Sequence, residues 1–254
     1  MKKLIIKGHK LDEGRPLICV PVIEQKRADI LHEIDILCKK GAAMIEWRAD
    51  WYEDVEQPEA VAGILKEMQS LVSDTILLVT FRSRAQGGER ELTQEQRRDF
   101  YCMAAESGAA DIVDVESFET ADVAELVQTI QKKGAAVIAS HHNFQKTPED
   151  GELKQILERL AECGADIVKL AVMPNEVTDV FRLLSVTHDF KEIHKELPVV
   201  TMSMGGYGVI SRICGELYGS CITFGSHEKP SAPGQLQMDV LAQILDTLHE
   251  AGER

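Results

Sequence analysis

The chain has 254 residues, is 44% hydrophobic and carries a formal net charge of −14 at pH 7. This length and apolar content suffice for one large core and match the usual size of a single α/β barrel domain. The acidic balance argues against nucleic acid and anionic membrane surfaces as partners, so an anionic ligand would need a local cluster of positive charge.

No apolar stretch of the sequence is long enough for a signal peptide at the start or for a membrane span. The six cysteines form no CxxC pair, and most of them lie in apolar strand or helix contexts. That pattern is typical of reduced thiols rather than of a disulfide framework. We therefore expect a cytoplasmic protein.

One joint recurs along the chain, in which a helical segment ends in glycine and a β-rich run follows closely. Glycine readily adopts the left-handed conformation that ends a helix, so each joint predicts a helix followed by a strand. The four copies lie at residues 39–45, 106–113, 132–138 and 162–168. Repetition of this joint predicts a series of βα units.

Short apolar runs predict eight strands, and helical periodicity fills the intervals between them. The predicted strands span residues 17–23, 44–50, 75–82, 111–117, 136–142, 166–173, 198–204 and 220–226. The predicted helices span residues 28–40, 58–72, 93–107, 121–133, 149–163, 176–195 and 236–251. These units favour a single (β/α)8 TIM barrel domain over residues 1–254, and a doubly wound open sheet is the alternative. Residues 1–14 are predicted to form an N-terminal hairpin that closes the barrel bottom.

Ionisable residues collect near the carboxyl ends of the predicted strands, where barrels of this type carry their reactive groups. Side chains two residues apart on a strand share a face, which places several of these residues on the inward side. The set is Glu46, Arg48, Arg82, Asp114, Glu116, His142 and Lys169. So many ionisable groups in a barrel interior indicate a functional site, in which the acids can pair with the cations.

Lys169 lies in the middle of the apolar run 165–174 and is the candidate nucleophile. A neutral lysine amine forms a Schiff base with a ketone, and apolar neighbours together with Arg48 and Arg82 are expected to lower its pKa. The alternative is a lysine at the strand end whose stem packs while its head reaches water.

His142 is the candidate proton carrier, because imidazole both takes and gives a proton near neutral pH. The alternative is a hydrogen-bonded core histidine. His141 is expected to point the opposite way, toward the helix layer, since strand side chains alternate. The adjacent pair is therefore no metal motif, and no Cys or carboxylate has matching ligand spacing.

Two loops after the last strands carry further polar candidates. The glycine-rich segment 203–212 can present N–H groups to an anion, and Arg212 can hold a carboxylate bidentately or lie on a helix surface. Met202 and Met204 line the pocket or fill the core. The long loop 225–235 suits a lid, with Ser231 and Gln235 placed to bond a polyol, and a disordered surface loop is the alternative.

Six short motifs, taken together and in this order, resemble type I 3-dehydroquinate dehydratase of the shikimate pathway. They are EWRAD at 46–50, FRS at 81–83, SHHNF at 140–144, VKLA at 168–171, MSMG at 202–205 and SAPGQ at 231–235. The resemblance runs along essentially the whole chain and implies a (β/α)8 barrel, in agreement with the strand count.

The resemblance implies a lyase that dehydrates 3-dehydroquinate to 3-dehydroshikimate for aromatic amino acid biosynthesis. Lys169 would form a Schiff base with the C3 ketone, and His142 would remove the C2 proton and protonate the departing C1 hydroxyl. The substrate-binding residues implied are Glu46, Arg48, Arg82, Arg212, Ser231, Gln235, Met202 and Phe224. The chemistry needs no metal and no organic cofactor, and we expect a homodimer.

One position departs from the family pattern. The family often has a glutamate that supports the catalytic histidine, and this chain has Gln86 there, with Glu89 as another carboxylate nearby. An amide forms hydrogen bonds but cannot carry charge. We therefore expect His142 to keep its place, with Gln86 as its supporting residue and with less electrostatic support for the protonated ring.

Two other functions remain as alternatives. A class I aldolase-type barrel would also use a lysine Schiff base, but it would need a phosphate site, for which Gly205 and Gly206 are the candidates. A binding barrel without catalytic activity is a different class, and the presence of both Lys169 and His142 argues against it.

Overall fold

The computed structural model describes residues 4–11 and 14–252, and its main feature is a barrel of eight parallel strands. The strands are β1 (Ile5–Ile6), β2 (His9–Lys10), β3 (Leu17–Val22), β4 (Met44–Arg48), β5 (Ile76–Thr80), β6 (Ile112–Glu116), β7 (Ala136–Asn143), β8 (Ile167–Val172), β9 (Val199–Ser203) and β10 (Ile222–Phe224). Strands β3 to β10 form the barrel, and β1 pairs with β2 in a separate antiparallel hairpin. The predicted (β/α)8 architecture is confirmed.

The barrel strands follow one another in chain order, and β10 pairs with β3. On the other side of β10, the N–H of Cys221 donates to the carbonyl of Val199 over 2.9 Å, beside a bridge between Val199 and Ser220. These contacts close the ring between β9 and β10. An open doubly wound sheet is therefore excluded.

Helices surround the barrel, and their bounds agree with the predicted ones to within two residues. They are α1 (Arg27–Lys39), α2 (Pro58–Leu71), α3 (Gln94–Glu106), α4 (Val123–Lys132), α5 (Asp150–Glu162), α6 (Val177–Ile193), α7 (Val209–Ile213), α8 (Gly215–Tyr218) and α9 (Met238–Gly252). Thr93 begins α3 with a capping box, in which its hydroxyl accepts from the N–H of Gln96. The short α7 and α8 lie between β9 and β10, where the sequence analysis assigned no bounds to a helix.

The N-terminal hairpin lies against the amino ends of the barrel strands. Leu11 is completely buried and packs with the inward residues Met44, Ile76 and Ile112, which stand at or near the start of their strands. Lys7 donates to two carbonyls at the end of α2 and the loop after it. The hairpin thus closes the barrel bottom as predicted, whereas residues 1–3, 12 and 13 of that segment lie outside the described residues.

Alternation along the strands separates two apolar layers. On β6, for example, Val113 and Val115 face the helices, whereas Ile112 and Asp114 face the barrel interior. The interior is apolar near the hairpin and ionic toward the carboxyl ends of the strands.

In the described part of the chain, every helix is too short or too polar to cross a bilayer.

Candidate active site

Lys169 stands on β8 with its side chain inside the barrel and only 3% of its surface exposed. Its Nζ lies 3.1 Å from Asp114 Oδ2 and 3.7 Å from Glu46 Oε1. The ring of Phe224 faces the amine, with its centroid 4.4 Å from Nζ. The lysine head therefore stays inside the barrel, which excludes the alternative of a head that reaches bulk water.

The nearest charged groups to the Lys169 amine differ from those expected. The sequence suggested arginine cations beside it, and the structure puts two carboxylates there instead. Both arginines are held by acids of their own: Arg48 by Asp50, and Arg82 by Asp114 and Glu116. Strand alternation alone could not reveal how the charges pair across the barrel.

Asp114 joins three strands of the barrel. Its carboxylate accepts hydrogen bonds from Ser140 over 2.6 Å and from Lys169, and it lies 2.9 Å from Arg82 Nη2. Burial alone would raise the pKa of this carboxyl, but Arg82, Lys169 and the Ser140 hydroxyl outweigh it and lower the pKa. Asp114 is therefore ionised and holds two cations in fixed positions.

Glu46 and Arg48 share the inward face of β4, as alternation predicted. Glu46 accepts a hydrogen bond from Thr80 on the neighbouring strand over 2.8 Å. Arg48 makes a bidentate pair with Asp50, with both N···O distances 2.7 Å. Glu46 and Arg48 both line the cavity at the top of the barrel.

His142 lies near the end of β7, and its ring lines the same cavity as the Lys169 amine. The Phe144 ring stacks beside it with the planes inclined by 19°. Burial first, and then the charges of Arg82 and Lys169, hold the pKa of His142 well below its ordinary value. The ring is therefore neutral at neutral pH, which is the form that can accept a proton.

His141 points the other way, as predicted. Its ring packs against Phe118, with the centroids 4.7 Å apart, and the guanidinium of Arg159 on α5 covers the same phenylalanine. The two histidines are thus on opposite sides of the barrel wall. Among the described residues no group of three or more His, Cys, Asp or Glu side chains could hold a metal ion.

Gln86 is buried beneath His142 in a tight turn after β5. Its Oε1 accepts a hydrogen bond from the backbone N–H of His142 over 2.7 Å and lies 3.2 Å from the ring Nδ1. On the other side, its Nε2 donates to Glu119 Oε2 over 2.6 Å. The carboxylate that contacts Gln86 is therefore Glu119, whereas Glu89, the nearby carboxylate in the sequence, is exposed.

Arg212 on α7 is buried, with 1% of its surface exposed, which excludes a surface helix arginine. Its guanidinium donates to the carbonyls of Phe224 and Pro233, and no carboxylate of the described residues lies within ion-pair distance. Its Nε has no hydrogen-bond partner there. Burial lowers the pKa of Arg212 to about 10. An uncompensated buried cation is costly, and a bound anion would satisfy it.

The loop 225–235 closes over the barrel mouth. Ser231 and Gln235 bond to each other within the loop, and both line the cavity. The carbonyl of Pro233 accepts from Arg212 and from the N–H of Gly205, which lies in the glycine turn after β9. That N–H is therefore occupied by the lid and does not face the cavity as a free donor.

The cavity under this loop has a volume of about 50 Å³. Pockets that hold small organic ligands usually measure about 300–1,000 Å³. The lid or the side chains beneath it must therefore move before such a ligand enters. The inward acids Asp114 and Glu116 do not line this cavity. The predicted catalytic, substrate-binding and supporting residues do line it: Glu46, Arg48, Arg82, Gln86, His142, Lys169, Met202, Arg212, Phe224, Ser231 and Gln235.

Comparison with known proteins agrees with this site. The family described as Type I 3-dehydroquinase matches residues 18–251. The chain belongs to the type I 3-dehydroquinase family. The resemblance inferred from the six motifs, and with it the prediction of an enzyme, is confirmed.

Relatives match along the full length of this family member. The 3-dehydroquinate dehydratase of Bacillus licheniformis is 42% identical over 98% of this chain and 99% of its own length. That of Clostridioides difficile is 41% identical, with 98% of each chain covered.

Solved structures of the family superpose closely. The type I enzyme from Clostridium difficile, described with covalent modified comenic acid, has a TM-score of 0.94 at 40% identity over 98% of this chain and 99% of that one. The 3-dehydroquinate dehydratase from Geobacillus kaustophilus also has a TM-score of 0.94, at 30% identity, covering 98% and 97%.

Several residues of the site escaped the sequence reasoning. Asp114 was expected to face inward but received no role, although it holds both Arg82 and Lys169. Asp50 appeared only as part of a motif, and nothing in the sequence pointed to Glu119. A glutamate just after a strand end resembles many surface glutamates, and only the tertiary structure brings it to Gln86.

Proposed function

We propose that this enzyme dehydrates 3-dehydroquinate to 3-dehydroshikimate through a Schiff base on Lys169, with His142 as general acid and base. The observation that carries the proposal is the common cavity of the Lys169 amine, the neutral His142 ring and the unpaired guanidinium of Arg212. These supply a nucleophile, a proton carrier and an anion-binding group. The names of the relatives support the same reaction.

In the first stage the Lys169 ammonium gives up a proton, the free amine attacks the C3 ketone, and the ketone oxygen leaves as water together with that proton. The resulting iminium draws electrons from the adjacent carbon, which makes the C2 proton acidic. His142 takes that proton and then delivers it to the C1 hydroxyl, which departs as water. Hydrolysis of the iminium frees the lysine and releases the product, and His142 also carries protons in these steps. The lysine supplies the electron sink, so the proposed chemistry needs neither a metal nor an organic cofactor.

Substrate binding follows from the charges around the cavity. We assign the substrate carboxylate to Arg212, whose buried guanidinium pairs with no acid among the residues that the structure describes. Glu46, Arg48 and Arg82 would bond the ring hydroxyls, and Ser231 and Gln235 would close over the ring from the lid. Met202 and Phe224 provide apolar contact around it. The type I enzyme from Clostridium difficile is described with covalent modified comenic acid, which supports a reactive nucleophile in enzymes of this family.

Borohydride reduction in the presence of 3-dehydroquinate tests the proposal. We expect an irreversible adduct on Lys169, located by mass spectrometry of the digested protein. The matched control is Lys154→Arg, a change in an exposed ion pair on α5, which should leave trapping intact. No adduct, or an adduct formed instead with a phosphosugar, would favour the binding barrel or the aldolase-type enzyme.

We further propose that the barrel is the whole functional domain of a cytoplasmic homodimer that serves the shikimate pathway. Buried free thiols at Cys19 and Cys163 support a reducing compartment. Helices α6 and α8 pack against each other, and each carries an exposed apolar side chain. The exposed fraction is 61% for Phe181 and 70% for Leu217, which supports a surface where two copies of the chain associate. Light scattering should give twice the 28.2 kDa chain mass, and the Phe181→Lys variant should lower it. A wild-type mass of one chain would contradict the homodimer.

A further inference from the structure

The Gln86 amide connects the histidine of the active site to a carboxylate outside it. Its Oε1 faces the backbone N–H and Nδ1 of His142, and its Nε2 faces Glu119 Oε2. Gln86 and His142 line the barrel cavity. Glu119 lines a separate surface cavity of about 340 Å³ beside α3 and α4, with Arg97, Arg98 and Tyr101 among its walls. The hydrogen-bonded chain from His142 through Gln86 to Glu119 therefore runs from the barrel cavity to the surface cavity.

The partners of the amide determine which way it points. A backbone N–H can only donate, so the amide atom that faces His142 must be the oxygen. The amide nitrogen then faces Glu119, whose ionised carboxylate can only accept. If the amide turned over, donor would face donor at His142 and acceptor would face acceptor at Glu119. The backbone N–H of His142 and the carboxylate of Glu119 thus select the same orientation, and Glu119 strengthens the preference that the N–H sets.

That orientation determines the tautomer of the neutral His142 ring. The Gln86 oxygen is an acceptor, so Nδ1 carries the proton and donates it over 3.2 Å. The proton-free nitrogen is then Nε2, on the far side of the ring from Gln86. A flipped amide would favour the opposite tautomer and would leave the base without its lone pair at Nε2.

Glu119 is itself held in place. It ends the 3-10 turn Ser117–Glu119 after β6, and the buried Arg97 donates to its backbone carbonyl over 3.2 Å. Burial, followed by the nearby Glu116, raises the pKa of Glu119, while the Gln86 hydrogen bond opposes that rise. The carboxylate is half-buried and borders the surface cavity, so its charge is only partly screened by water.

We propose that Glu119 is a positioning residue for the proton carrier: together with the His142 N–H its carboxylate orients the Gln86 amide and thereby favours the Nδ1–H tautomer, and its charge stabilises the ring when protonated. The inference rests on the proposed function of His142. The Gln86 amide carries no charge, and the negative charge is instead on Glu119, which contacts Gln86 on the side away from His142.

Two variants separate orientation from charge. Glu119→Gln keeps an acceptor oxygen for the Gln86 nitrogen but removes the charge, so the tautomer should persist. Glu119→Ala removes both. We expect kcat to fall about 10- to 100-fold in Glu119→Ala, a range typical of removing residues that orient a functional histidine, with a smaller fall in Glu119→Gln and little change in KM.

The pH dependence of kcat measures the effect of the Glu119 charge on His142. A negative charge nearby favours the imidazolium, so removing it lowers the pKa of His142 in the substrate complex. The acid limb of kcat should therefore move to lower pH, by about half a unit to one unit, in both variants. In the exchange variant Gln86→Glu/Glu119→Gln the carboxylate contacts the ring directly, so activity should be retained and the limb should move to higher pH.

Nitrogen-15 NMR of the His142 ring tests the tautomer in the free enzyme, without any reaction. We expect the Nδ1–H form in the wild type and in Glu119→Gln, and a partial loss of it in Glu119→Ala, where only the His142 backbone N–H still orients the amide. The control is Glu125→Ala, in which an exposed glutamate near the same surface cavity is removed and no readout should change. An unchanged tautomer in Glu119→Ala together with an unmoved acid limb would overturn the inference. Failure of borohydride trapping on Lys169 would instead overturn the proposed function.

Discussion

The Lys169 amine meets the Asp114 carboxylate at 3.1 Å, although their strands β8 and β6 are not neighbours in the sheet. The pair spans the intervening β7, whose Ser140 donates to the same carboxylate. Asp114 also holds Arg82, so this buried acid links the proposed nucleophile to a second cation of the site.

Replacing Asp114 with Asn should destabilise the protein, because Arg82 and Lys169 then share a buried site without one of their acids. Loss of one partner of a buried ion pair costs about 3–5 kcal/mol, which urea denaturation will measure. Asp246→Asn, which breaks an exposed pair with Arg15, is the control and should have little effect. Equal stability of the two variants would contradict the role given to Asp114.

The effect of Asp114 should also depend on pH. Its pKa is lower in the folded protein than in the unfolded chain, so its stabilisation is fully present above the unfolded value of about 3.9. The stabilisation is lost as pH falls from there through the folded pKa. The difference between wild type and Asp114→Asn should therefore shrink in acid, which denaturation curves at several pH values will check.

His142 should titrate below the ordinary imidazole value of about 6.5, because burial and the charges of Arg82 and Lys169 disfavour its protonated form. The acid limb of kcat/KM, which reports the free enzyme, should lie below pH 6.5 as well. NMR titration measures the ring directly, and the resonance missing from His142→Ala identifies it. A limb at or above pH 6.5 would be inconsistent with a buried neutral base.

His142→Ala should also separate covalent capture from turnover. Lys169 remains in place in this variant, so borohydride with 3-dehydroquinate should still label it. Turnover should fall by at least about 100-fold, since general acid–base catalysis contributes about 10²–10⁴. Unimpaired turnover, measured by the absorbance of the conjugated enone product, would remove His142 from the mechanism.

Arg212→Met should remove the anion-binding group while it preserves much of the side-chain volume. Hydrogen bonds to a charged group contribute about 1.5–3 kcal/mol each, so KM should rise about 10- to 150-fold or more. Thermal unfolding with added substrate provides a second measurement, because the stabilisation by ligand should disappear. Arg98→Met, at an exposed ion pair on α3, is the matched control. An unchanged KM would refute the assignment of the substrate carboxylate to Arg212.

Gly234→Ala should prevent the lid from docking. Gly234 has φ of +81°, and an added Cβ would lie 2.4 Å from the carbonyl oxygen of Gly205. We expect kcat/KM to fall, and hydrogen exchange at the Gly205 N–H to accelerate because its bond to Pro233 is lost. Gly151→Ala in α5 meets no atom within 4 Å and should leave both unchanged. Unaltered exchange at Gly205 in Gly234→Ala would show that the lid tolerates the side chain.

The sequence by itself determined the barrel and most of the cavity wall. Glycine-terminated helices and eight apolar runs fix the order of elements, and the two-residue period of a strand decides which side chains face inward. That period alone put Lys169 and His142 inside and His141 outside. The order of the elements and the facing of strand side chains depend on residues near one another in the chain, so the sequence pattern predicts them.

Only the tertiary structure decided how the charges pair. Asp114 reaches Lys169 across 55 positions of sequence, and Gln86 reaches His142 across 56. The contact of Glu119 with Gln86 has the same origin, and so does the lack of an acid beside Arg212 in the described part of the chain. Closing the barrel brings distant strand ends together, and the short reach of hydrogen bonds and ion pairs then selects partners that no local pattern specifies.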